Sequence, residues 1–138
     1  MSGETDLAKL LSGMSPALDP LAYAFASIAP EQVTTYADDA WMVCKEDEGV
    51  TLIMPISADT ADIFADKPRF RRITLRVHSS LHAVGLTAAV SHVLADQGIP
   101  ANMVAGFYHD HVFVPENQAI EAMSALASVM QGTPAGDG

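Results

Sequence analysis

The chain has 138 residues, of which 49% are apolar, enough for one compact domain or two very small ones sharing a core, without staples. Its formal charge is −10 with only seven Lys and Arg, which speaks against nucleic acid or an anionic membrane as a partner, since phosphates must be met by cations. The single cysteine, Cys44, excludes an internal disulfide and suits a reducing compartment.

The N-terminus carries Glu4, Asp6 and Lys9 and has no basic region followed by an apolar run, so it does not read as a signal peptide. No window approaches the ~18 apolar residues of a membrane span; a cytoplasmic protein is expected. Leu7, Leu10, Leu11 and Met14 recur at helical spacing and predict an amphipathic helix over 5–14, with Thr5 or Asp6 as its cap. Ser15, Pro16, Asp19 and Pro20 punctuate, and Leu21 to Ile28 reads as a strand ended by Pro30, with a polar connection over 31–39. The runs 41–45 and 50–54, joined by Glu46-Asp47-Glu48-Gly49, predict a β-hairpin. A short helix over 59–65 follows, and Pro68 closes the N-terminal half.

The second half is more regular. Ile73, Leu75 and Val77 alternate with Arg72, Thr74, Arg76 and His78, the pattern of a half-buried strand. Arg69, Arg71 and Arg72 beside it read as a solvated strand entrance. Leu86, Val90, Val93 and Leu94 predict a helix over 83–97 that Gly98 stops. Residues 102–108 and 111–114 form a second hairpin turning near Asp110, and 116–130 a second helix. The Gly- and Pro-rich residues 132–138 are expected to be a flexible tail. Right-handed crossovers place both helices on one face of the sheet. The fold class is therefore α+β, a ferredoxin-like (βαββαβ) sandwich. Its fourth strand is missing after Met130, and Leu21 to Ile28 is the spare that can supply it. The halves are thus expected to interlock.

The run from Val77 to Val104 resembles an ACT domain. In that family a first strand ends in a turn leading to Gly-Leu at the start of a helix, the helix ends in Gly-Ile, and the second strand opens with Asn. Gly85-Leu86, Gly98-Ile99 and Asn102 occupy those places, and the resemblance extends from Arg71 to Met130. The N-terminal half resembles a degenerate ACT-like unit lacking its first helix. Segments HSSLHAVGLTAAV and AGFYHDHVFVP make the whole chain similar to short bacterial tandem ACT-like proteins of unassigned role. The resemblance implies domains at 1–68 and 69–131 with antiparallel sheets, and a regulatory binder of amino acids or other small metabolites. The turn departs from the family's pattern: His78 to Gly85 contains no acid to pair with a ligand's ammonium.

The expected ligand-binding residues are His78, Ser79, Ser80, Val84, Gly85, Leu86 and Asn102. A helix N-terminus offers free N–H groups and a partial positive charge to an anion. Gly85 permits close backbone approach, and the serines and Asn102 offer donors and acceptors. The plainer alternative is that Ser79 or Ser80 caps the helix and Gly85 serves packing. His109-Asp110-His111, with His78 and His82, lacks a zinc motif's spacing, so no metal and no cofactor are expected; His109 and His111 would be the first ligands if a metal bound. Cys44 in an apolar run reads as buried and structural. Glu46, Asp47, Glu48, Asp38 and Asp39 read as solvated, and Trp41 and Tyr23 as core. No catalysis is expected. The chain reads as a metabolite-binding regulator acting through a partner, most simply a homodimer. Its rivals are an interaction protein without a ligand and a metal enzyme built on the histidines.

Overall fold

The computed structural model describes residues 7–76 and 85–130. In chain order these form α1 (Leu7–Gly13), β1 (Pro16–Ile28), a 3-10 turn running into α2 (Val33–Tyr36), β2 (Met42–Lys45), β3 (Val50–Pro55) and β4 (Phe70–Leu75). After these come α3 (Leu86–Asp96), β5 (Asn102–Ala105), β6 (Asp110–Pro115), and a 3-10 turn running into α4 (Ala119–Met130). They divide into two compact units: residues through Asp19 with those from Arg71 onward, and Pro20–Phe70.

In the first unit the strands lie in the order β1-β4-β6-β5, the ferredoxin-like order in which the fourth strand flanks the first. That fourth strand is the leading part of β1, before Pro20. The strand thus begins at Pro16, five residues before the sequence-based start. Pro16 and Pro20 read as punctuation, yet proline's fixed φ is compatible with extended backbone. Ile73, Leu75, Val112 and Val114 point to one face of the sheet and are buried together with Leu10 and Met14, with Leu86, Val90, Val93 and Leu94 of α3, and with Ala122 and Leu126 of α4. Three helices therefore cover one face, and α1 packs against both α3 and α4.

The second unit is an antiparallel sheet, β2-β3-β1, with Tyr23 opposite Pro55, Ile28 opposite Val50, and Met42 opposite Ile53. Its core is Ala24, Val50, Leu52 and Met54 beneath Phe64, with Val33 and Tyr36 packed at the side. The predicted β2–β3 hairpin turns over Glu46–Gly49, each end's amide bonding the other's carbonyl at 2.9 and 3.3 Å. Where a helix over 59–65 is expected, residues 58–66 form consecutive turns. The Ser57 amide bonds the Thr60 hydroxyl (2.8 Å), the Asp59 amide the Ser57 hydroxyl (3.2 Å), and the Thr60 hydroxyl donates to the Pro55 carbonyl (3.2 Å). These local bonds compete with a helical ladder.

Three further expectations are corrected. Cys44 is exposed, not buried, because β2 is an edge strand with three of its four residues exposed. The second hairpin turns over Gly106–His109, closed by the Gly106 amide on the His109 carbonyl (2.9 Å), so Asp110 opens β6 rather than the turn. Tyr23 is buried and the acids at 38, 39 and 46–48 are exposed, as expected, whereas Trp41, expected in the core, is only half-buried just before the edge strand.

Candidate functional site

Of the seven residues expected to bind a ligand, Gly85, Leu86 and Asn102 lie within the described structure. His78, Ser79, Ser80 and Val84, like His82, lie outside the described residues. Gly85 is the N-cap of α3 at φ +101°, and among the described residues no side chain caps the helix there. Whether Ser79 or Ser80 caps the helix, the plainer alternative, lies outside the described residues. The Gly85 carbonyl takes the first helical bond, from the Ala89 amide at 2.8 Å. A Cβ at Gly85 would sit 3.1 Å from Cδ2 of Leu7. The glycine thus answers two demands at once, a left-handed backbone and close approach by α1. Leu86 is buried in the core of the unit; its side chain is spent on packing, and only its backbone can face a ligand. The opening turn has no acidic side chain, so the orphan amides of this helix end meet no carboxylate from their own turn.

Asn102 is exposed and opens β5 opposite Phe113. It follows the far end of α3, whose 11 residues span about 16 Å. Gly85 and Asn102 thus stand at opposite ends of the helix and are not brought together within this unit. Gly98 and Ile99 form the helix stop between them. The Ile99 amide bonds the Leu94 carbonyl (3.0 Å) and the Gly98 amide bonds that of Ala95 (2.9 Å), with Gly98 at φ +71°. This is a Schellman motif, completed by Leu94 and Ile99 in the same core.

The structure also gathers residues that sequence reading left apart. Arg72, read as a solvated cation, pairs with Asp19 at 2.9 Å and is largely buried, its side chain 17% exposed. Arg71 binds the Asp19 carbonyl through Nε (3.0 Å) and Nη2 (2.8 Å). Arg72 Nη1 donates to Thr74 Oγ1 at 2.6 Å, which lies 2.9 Å from His111 Nδ1. Because arginine can only donate, the threonine hydroxyl accepts from it, and its own proton or second lone pair meets the imidazole Nδ1 according to the ring's tautomer. Burial, then the Arg72 charge, then His109 hold the His111 imidazolium down to about 4, so the ring is neutral at neutral pH. Burial raises the neighbouring Asp110 carboxyl while His109 lowers it. The alternation of β4 signalled that Arg72 and Thr74 share a face; their pairing with Asp19 and His111 is tertiary and left no local mark.

This network does not favour a metal. Among the described residues no three His, Cys, Asp or Glu are placed to hold an ion, and Arg72 sets a fixed positive charge beside His111. A Cβ on Gly106 would meet the His109 carbonyl at 2.8 Å and His111 Nε2 at 3.3 Å, so the turn and the ring occupy space that only glycine leaves open.

Residues 2–68 match an ACT domain, and residues 69–128 match another ACT domain. The chain belongs to the ACT-domain family. Its ACT pair is similar to a Vibrio cholerae protein of unknown function, described as a possible transport protein, at 39% identity and a TM-score of 0.77, over 92% of this chain and 98% of that one. It is similar in fold to an Agrobacterium tumefaciens protein (19% identity, TM-score 0.66, 85% and 89% covered). It is also similar in fold to the ligand-free regulatory subunit of aspartate kinase from Thermus thermophilus (11% identity, TM-score 0.59, 85% and 98% covered). No curated protein matches the chain. The fold is the α+β ACT type, and no helix among its described residues is long and apolar enough to cross a membrane.

Proposed function

We propose that this tandem ACT protein is a non-catalytic regulatory module. It binds a small amino-acid-type metabolite at the turn entering α3, around residues 78–86, and passes the signal to a partner or a second copy. The observation that carries this is the pair of ACT matches that together run from residue 2 to residue 128, with the fold of an aspartate kinase regulatory subunit as support. The chemistry at Gly85 agrees: a left-handed glycine opens a helix with no acid in its first turn and no capping side chain among the described residues, which suits a carboxylate. Asn102, at the other end of α3, reaches such a ligand only from a second copy, which makes a homodimer the natural working form. Asp19, Arg72, Thr74 and His111 satisfy one another, which favours a structural role over catalysis. The lone thiol points to the cytoplasm.

Thermal unfolding of the whole chain against the common amino acids tests this. A cognate ligand at a hundred times its Kd adds about 2.7 kcal/mol, and Gly85→Val abolishes that gain. One observation favours a second reading, an interaction module without a ligand: Leu7 lies against Gly85, so the glycine has a packing role of its own. A flat response across amino acids, nucleotides and small acids decides for that alternative.

A further inference from the structure

The two units differ in what covers their sheets. In the C-terminal unit α1, α3 and α4 seal the core face, whereas in the N-terminal unit the cover is the four-residue α2 and the turns of 58–66. So thin a cover leaves a gap. A cavity of about 160 Å³ opens within the N-terminal unit, walled by Ala26, Ile28 and Leu52 of the sheet and by Phe64. Ser27, Tyr36, Ile63 and Lys67 complete its lining, with Ile63 half exposed.

The polar groups there are not consumed by the fold. The Lys67 amide bonds the Phe64 carbonyl at 3.0 Å, but its ammonium pairs with no acid among the described residues. The Tyr36 hydroxyl likewise has no hydrogen-bond partner among them. Lys67 is the single charged residue of the lining. Asp59, Asp62 and Asp66, on the same segment, are exposed and not part of the lining, where solvent screens them.

We infer that this cavity is a second ligand site, for a small monocarboxylate with a compact apolar tail and no amino group. The tail fills the Ala26, Leu52 and Phe64 walls, and the carboxylate meets the Lys67 ammonium and the Tyr36 hydroxyl, a charge-assisted pair. The size favours a compact ligand, since drug-sized molecules fill roughly 300–1,000 Å³. The charge disfavours amino acids, because the lining sets a cation and no acid before a ligand's ammonium. The site lies in the other half of the chain from Gly85 and does not depend on the reading given to that turn.

The test is a titration of the whole chain with 4-methylpentanoate, followed by methyl NMR, with 4-methylpentanamide and leucine as controls. The expected result is saturable shifts at the Ile28, Leu52 and Ile63 methyls, with a Kd on the order of a millimolar. The amide, leucine and the Lys67→Met protein should each bind roughly tenfold more weakly. Lys67 is exposed, so Lys67→Met keeps the fold; Ala26→Leu, which fills the space, should abolish the shifts. The inference is overturned if those methyls do not saturate, if Lys67→Met binds as tightly as the parent, or if only the methyls of Leu86 move.

Discussion

Gly85 and Gly98 bracket α3 and are glycine for different reasons. At Gly98 the backbone is left-handed, and a Cβ would meet nothing within 4 Å. Gly98→Ala should therefore cost only the conformational penalty, about 1 kcal/mol. At Gly85 the same penalty is joined by a contact with Leu7 at 3.1 Å, so Gly85→Ala should cost about 2 kcal/mol. Urea unfolding at unchanged slope measures both. Equal losses would show that Leu7 yields freely and that α1 does not press on this turn. Both glycines were legible as punctuation in the sequence, and the Gly98 stop followed from helix-end chemistry alone. The role of Gly85 in packing was not, because Leu7 is 78 positions away along the chain. The identity of Leu86 as a core residue was visible in its helical spacing. Cys44 misled because an apolar neighbourhood in sequence says nothing of whether a strand lies at the sheet's edge.

At the scale of elements, the chain Asp19–Arg72–Thr74–His111 ties β1, β4 and β6 across one face. Its consequence is a pH dependence with a defined sign. His111 has its ordinary value of 6.5 when unfolded and is lowered to about 4 in the fold. The unfolded chain therefore binds more protons between these values, and stability present above pH 6.5 is lost as pH falls toward 4. Asp110 acts the other way: its carboxyl is raised by burial, so its contribution is present below 3.8 and lost as pH rises through its raised value. His111→Gln, which keeps a side-chain acceptor while removing the titration, isolates the histidine. Urea midpoints at pH 7 and pH 4.5 should fall further in the parent than in the variant, and parallel profiles would refute the neutral, threonine-bound ring. The strict alternation of β4 announced the face on which this network lies. The partners could not be read, because no local pattern records which strand will lie beside another. The segment over 58–66 was unreadable for the opposite reason: the apolar spacing of a helix is present, but Ser57, Asp59 and Thr60 divert the backbone into turns.

For the whole molecule, the most informative element is β1, whose leading residues group with the C-terminal stretch while the remainder groups with the N-terminal one. The need for a fourth strand beside the first was legible in the sequence, since the element order from Arg72 to Met130 supplies only three strands. Which residues supply it was not, because two prolines masked the start of the strand. The isolated segment 69–138, cut where one family match gives way to the next, lacks that strand and also Leu10 and Met14, both buried in its core. It should fail to give a dispersed NMR spectrum or a cooperative melt, while adding residues 1–19 as a separate peptide should restore structure. A folded, cooperative 69–138 fragment would refute the assignment of α1 and the start of β1 to that unit.

The same strand bears on heredity. A recombination event that severed the gene between the two family matches would produce neither half in working order, since one product would lack a strand and a helix that the other carries without use. Unlike beads on a string, these repeats cannot be traded singly among genes, and the pair is expected to be copied and passed on as one indivisible piece.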